Sequence, residues 1–235
     1  MKTPLLYLFF LLHFNSFGQT TSVKEDSIKI TALTKKATSY ISKNKDSALY
    51  YFKKAENTSI NTKNWVLLAK IYQTKGNLFY NLFQDNLAME FYLKSDSVLT
   101  KNNIKNKTSF SNLINITRLL YFSTNVDIDT LTSRKIKNYL LTAIELAKNQ
   151  NYSIEKAIGY SEYANYLSRF KKYKKAAVFL QKALTAIKNE DNNKIKSAIY
   201  WSLGANYLHL KKIDSAEYFY RKRISLFIQS KQQKE

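Results

Sequence analysis

Between Gln19 and Glu235 the chain has no proline and only three glycines, Gly76, Gly159 and Gly204. Tight turns draw on both residue types, which average roughly 7% and 5% of ordinary sequences. A β-sandwich or an open α/β sheet would need many such turns. The chain is therefore expected to be all-α, with long helices joined by short polar loops. Hydrophobic residues make up 45% of it, enough to bury a core and too many for a disordered segment. Its 235 residues suit one or two ordinary domains or a single repeat array.

Internal similarity separates an array from a plain bundle. The stretch Lys45-Asp46-Ser47-Ala48-Leu49-Tyr50 is nearly copied by Ile213-Asp214-Ser215-Ala216-Glu217-Tyr218, and Gln84-Asp85-Asn86-Leu87-Ala88-Met89 is close to both. Each follows a polar turn and has an aromatic residue four places after the alanine: Phe52, Tyr220 and Tyr92. Upstream of two of them stand Tyr200, Leu203, Gly204 and Tyr207, and Tyr72, Gly76 and Phe79. A third such set is Tyr160, Tyr163, Ala164, Leu167, Ala176, Leu180 and Ala183.

This pattern resembles the tetratricopeptide repeat, a pair of antiparallel helices of about 34 residues marked W-x2-L-G-x2-Y and then A-x3-F. The resemblance implies an α-solenoid of tandem antiparallel helix pairs, a superhelix of the tetratricopeptide kind. Five repeats are expected over 29–230, at 29–62, 69–102, 107–150, 157–190 and 197–230, followed by a polar tail at 231–235. Lys75, Ser95 and Arg223 depart from the pattern, and the third repeat carries a polar insertion around Thr124 to Ser133. The physical basis is close packing: a small residue lets two helices approach, and an aromatic fills the space beside it. Gly76, Ala164 and Gly204 on first helices, and Ala48, Ala88, Ala176 and Ala216 on second helices, are the expected seam positions.

The N-terminus reads as a secretory signal over residues 1–18. Lys2 supplies the positive region, Leu5 to Phe14 the apolar run, and Ser16-Phe17-Gly18 the small residues a signal peptidase reads. Cleavage near Gly18/Gln19 would leave a short segment, 19–28, before the repeats. The apolar run is about half of what a bilayer span needs, and no later segment is apolar enough to cross. The expected location is therefore periplasmic or extracellular. The signal is similar in style to those of exported tetratricopeptide proteins of Bacteroidetes. That resemblance implies an alternative: the ligand-sensing part of a signalling or transcription regulator whose output domain is not in this chain.

Chemistry can mostly be set aside. The chain has no cysteine, and beyond the signal it has one histidine, His209. Thiolate metal sites and Cys–His dyads are excluded. Phosphate-cradling glycine loops need glycines that this chain does not cluster. A carboxylate pair such as Glu145 and Glu162 is compatible with glycoside hydrolysis, but on amphipathic helices such residues are ordinarily solvated or salt-bridged. No catalytic, cofactor or metal site is expected.

The expected function is non-enzymatic binding of a protein or peptide. The family's recognition positions lie on first helices, and the resemblance carries them onto Lys70, Gln73, Asn77 and Tyr80, Asn115 and Arg118, Asn165 and Arg169, and Trp201 and His209. Asparagine at the recurring place both donates and accepts, as an extended peptide backbone requires. Arg118 and Arg169 are suited to hold a carboxylate bidentately. The arrangement is similar to the carboxylate clamp of chaperone-binding relatives, but the clamp lysine is replaced by Gln73, Ser111, Ser161 and Trp201. Trp201 is the expected hydrophobic anchor. The net charge of +21 favours an acidic partner, although the abundance of Lys, Asn, Ile, Tyr and Phe is also what AT-rich coding produces. Nucleic acid is not expected for an exported chain. The lysine cluster 171–175 and Arg221-Lys222-Arg223 read as solvated turns and outer faces.

Overall fold

The computed structural model describes residues 24–123 and 130–232. The signal segment, most of the insertion in the third repeat and the last three residues of the tail lie outside them. Ten helices follow one another among the described residues, with no strand. They are α1 (residues 24–40), α2 (Lys45–Asn61), α3 (Trp65–Asn81), α4 (Asp85–Lys101) and α5 (Lys107–Ser123). Then come α6 (Thr130–Asn149), α7 (Ser153–Arg169), α8 (Tyr173–Ala186), α9 (Asn193–His209) and α10 (Ile213–Gln232). The chain is all-α, built of tandem antiparallel helix pairs. It divides into two compact units, Met1–Ile104 with α1 to α4 and Lys105–Glu235 with α5 to α10. No helix among the described residues is long and apolar enough to cross a membrane.

The helix starts reflect capping. Asn44, Asn64, Asn106 and Asn192 each accept a hydrogen bond from the backbone amide three residues on, at 2.9, 3.2, 3.1 and 3.1 Å. An asparagine so placed satisfies one of the free amides at a helix N-terminus. Three first helices begin four residues ahead of the starts read from the motif: Trp65 against 69, Ser153 against 157, and Asn193 against 197. That extra turn accounts for much of the wide repeat spacing.

The turns are short because the helix ends are tightly closed. Lys63, Phe83, Asn103, Asn151, Lys171 and Lys211 all have φ between 53° and 58°. At each, the left-handed residue donates to the carbonyl three back and the next amide to the carbonyl five back. Phe83 donates to Tyr80 (3.0 Å) and Gln84 to Phe79 (2.9 Å). This is the Schellman closure usually served by glycine. Here lysine, asparagine and phenylalanine serve it, which is how the chain turns so often with so little glycine.

In the first unit, Ile30 and Ala37 of α1 share a core with Phe52 and Ala55 of α2 and Ile71 and Leu78 of α3. The small seam residues are buried throughout: Ala48, Ala88, Ala164 and Ala176 are 0% exposed and Ala216 1%. Gly76 lies against the ring of Tyr92, and Phe79 stacks on Phe91 with centroids 5.4 Å apart. Two departures from the motif are buried polar groups with partners. Lys75 pairs with Glu56 at 2.7 Å and lies 4.1 Å over the Phe91 ring. The Ser95 hydroxyl donates to the Ala69 carbonyl at 2.6 Å. In the second unit one core runs from Phe110 and Ile114 of α5 through Leu140 and Ile144 of α6 to Leu180, Ile199 and Phe219.

Candidate binding groove

In the second unit the first helices of successive pairs, α5, α7 and α9, lie side by side, α7 touching both neighbours. Side chains at matching turns therefore meet across helices. Arg118 of α5 reaches Glu162 of α7 through Nε (2.9 Å) and a terminal nitrogen (2.6 Å), both on Oε1. The Asn165 amide lies 3.5 Å from the other Glu162 oxygen. Between α7 and α9 the Ser168 hydroxyl donates to Asn206 Oδ1 at 2.8 Å, and the Asn206 amide donates to the Ser202 carbonyl at 2.7 Å.

Next to this seam is an open cavity of about 360 Å3. Asn165, Ser168 and Arg169 of α7 form one wall, Trp201, Ser202 and His209 of α9 the other, and Tyr173 of α8 one end. Trp201 is 52% exposed; its ring stands 5.3 Å from that of Tyr220, and the Arg223 guanidinium lies 4.6 Å over it. The helix is thus oriented with Trp201 at the surface and Ile199 and Leu203 in the core. His209 stacks on Tyr173, centroids 4.4 Å apart and planes within 6°. Arg169 lies 5.4 Å over the Tyr121 ring and makes no ion pair among the described residues. Burial, and secondarily the neighbouring Glu162 carboxylate, pushes the Tyr121 hydroxyl far above its ordinary value, with Arg169 opposing. That hydroxyl has no hydrogen-bond partner in the structure.

The residues singled out from the sequence fall into three places. Asn165, Arg169, Trp201 and His209 line this one cavity. Asn115 and Arg118 sit on α5 beside α7, where Arg118 is occupied by Glu162 and so presents no open fork to a ligand. Lys70, Gln73, Asn77 and Tyr80 are on α3 of the first unit. There Lys70 borders a cavity of about 280 Å3 shared with Thr31, Thr34 and Thr38 of α1. Asn77 Oδ1 accepts from the Tyr92 hydroxyl at 2.7 Å, which ties it to the seam. Glu162 is an ion-pair partner, and Glu145 is exposed on α6.

Tyr173 and Tyr121 were not singled out. Tyr173 sits among four lysines that read as a solvated turn, and its contact with His209 joins residues far apart in the chain. Arg223, a departure from the motif, covers the exposed tryptophan.

No family model matches the sequence, and no curated protein matches it. Solved structures do resemble it. BtubC (BKLC) from P. vanneervenii aligns with a TM-score of 0.74 at 16% identity, over 91% of this chain and 90% of that one. The TPR-like repeats of a Podosopora anserina putative kinesin light chain align at 0.63 and 10% identity, over 88% and 97%. A Rap protein complexed with competence and sporulation factor aligns at 0.65 and 18% identity, over 84% of this chain and 54% of that one. At these identities the likeness is one of fold: the chain has the architecture of a TPR-like solenoid.

Proposed function

We propose that the chain is a non-enzymatic protein- or peptide-binding scaffold, and that the cavity between α7 and α9 grips an extended segment of the partner. The observation that carries this is Trp201, a large aromatic left half exposed in a cleft whose other wall presents Asn165 and Arg169. An exposed tryptophan offers the buried area of an interface anchor. Asn165 supplies amide hydrogen bonding, and Arg169 a cation for an acidic side chain or terminus. The fold supports the reading, because stacked helix pairs present extended surfaces that serve as binding faces, and one structural neighbour was solved with a factor bound. The net charge of +21 draws acidic segments to the surface.

The scaffold is exported, its first 18 residues acting as a cleaved signal. N-terminal sequencing of protein recovered from its native host tests this, and a chain beginning at Gln19 is the expected result. The groove is tested by comparing partners recovered from envelope extract by wild type and by Trp201→Ala with Asn165→Ala. The variant should lose the principal partner; identical partner sets would remove the groove from the function.

A further inference from the structure

The second helices α8 and α10 occupy equivalent places in successive pairs, with Ala176 and Ala216 at the same seam position. In that register Leu180, Leu184 and Ile187 of the α8 segment correspond to Tyr220, Ile224 and Phe227 of α10. α8 is packed by α7 and by α9, and Leu180 and Ile187 are fully buried in the core those helices share. Among the described residues α10 packs against α9 alone. On α10 Ile224 is 57% exposed, Phe227 61% and Ile228 51%. Ile213, 59% exposed, lies at the other end of the same stripe, whose steps of four and three residues keep it on one helix face.

Terminal repeats of a stack ordinarily turn a polar face outward. Here the position that is Lys188 after α8 becomes Ile228 on α10, so the outer face is more apolar where the fold does not ask for it. We propose that the outer face of α10 is a second binding surface, distinct from the α7–α9 groove. Its occupant is an amphipathic helix of a partner protein, laid on α10 as α9 lies on α8, with acidic residues beside its apolar ridge. Charge selects that occupant. From Tyr218 to Gln232 α10 has no acidic residue, while Arg221, Lys222 and Arg223 stand next to the stripe. A second copy meeting this face would bring these cations together, whereas acidic flanks would complement them.

The test uses two labelled helical peptides of about eighteen residues with the same leucine ridge, one flanked by glutamates and one by lysines. Fluorescence anisotropy with the full chain should show saturable binding of the glutamate peptide. Binding should fall by at least about tenfold with the lysine peptide, and equally with the variant Ile224→Glu plus Ile228→Glu. Both isoleucines are more than half exposed, so circular dichroism should show the variant folded like wild type. A cavity variant, Asn165→Ala plus Arg169→Ala, should bind the glutamate peptide as wild type does. No binding, equal binding by the isoleucine variant, or equal affinity for both peptides would overturn the proposal. So would light scattering that finds a dimer of the wild type and a monomer of the isoleucine variant, because the occupant would then be a second copy.

Discussion

Gly204 faces the ring of Tyr220 so closely that a methyl group on its Cα would stand 2.5 Å from ring carbon Cε1. Gly76 and Tyr92 repeat the relationship at 2.6 Å. In both pairs the aromatic ring occupies the space a side chain would need. Tyr92 is 2% exposed and its hydroxyl is held by Asn77, so its ring has nowhere to go. Tyr220 is only half-buried and can swing toward solvent. Overpacking a seam costs about 1–3 kcal/mol, and replacing a helical glycine by alanine returns about 1 kcal/mol. Gly76→Ala is therefore expected to destabilise by about 1–2 kcal/mol, and Gly204→Ala by less. Gly159→Ala, whose methyl would meet Ile144 at 3.0 Å and Phe110 at 3.5 Å, should be close to neutral. Urea midpoints of the three variants give the ranking, and equal midpoints for Gly76→Ala and Gly204→Ala would refute the account of the ring.

Lys75 and Glu56 form a pair whose side chains are 12% and 9% exposed. Removing one partner of such a pair leaves a charge in a poorly solvated place, at a cost of about 3 kcal/mol or more. Lys75→Met should therefore be strongly destabilising, while Lys75→Met with Glu56→Met should recover most of the loss. A double-mutant cycle on unfolding free energies reads this directly. Additive effects would mean that the two charges do not depend on each other.

The seams were legible in the sequence for a steric reason. A glycine or alanine facing an aromatic is a pattern that helix pairs can hardly do without, so Gly76, Gly204, Ala88 and Ala216 could be placed before any coordinates. Asn165, Arg169, Trp201 and His209 were drawn from the same register, and they converge on one cavity. What escaped depends on contacts that leave no local mark. Arg118 and Glu162 are paired across 44 positions, and nothing near either residue announces the other. Tyr173 looked like part of a solvated lysine run because its partner His209 lies on another helix. The helix starts came out late because asparagine is so common here that its capping role does not stand out.

The six left-handed turn residues were illegible for a related reason, since none of them is glycine. Phe83 is the least suited: it has φ 57° and is 94% exposed, so it takes the strain without burying its ring. Left-handed backbone costs a side-chain-bearing residue about 1–2 kcal/mol. Phe83→Gly should therefore stabilise the protein by about 0.5–1 kcal/mol once glycine's greater chain entropy is set against it. Asn103→Gly should gain less, because asparagine tolerates this conformation better. Thermal melting of both variants checks the order. An unchanged or lowered melting temperature for Phe83→Gly would show that the phenylalanine makes a favourable contact in the turn.

Asp96 on α4 gives a pH-dependent test. Burial alone holds its carboxyl above the ordinary value of 3.8. For an acid raised in the folded state, the folded protein is penalised once the group must ionise. The penalty is absent below the unfolded value and complete above the folded one, because there the unfolded chain releases its proton more easily. Asp96→Asn removes the charge and keeps the shape. It should raise the melting temperature near neutral pH, and the advantage should shrink to nothing as the pH falls below 3.8. An advantage that stays constant across this range would point to packing or helix propensity rather than to the buried charge.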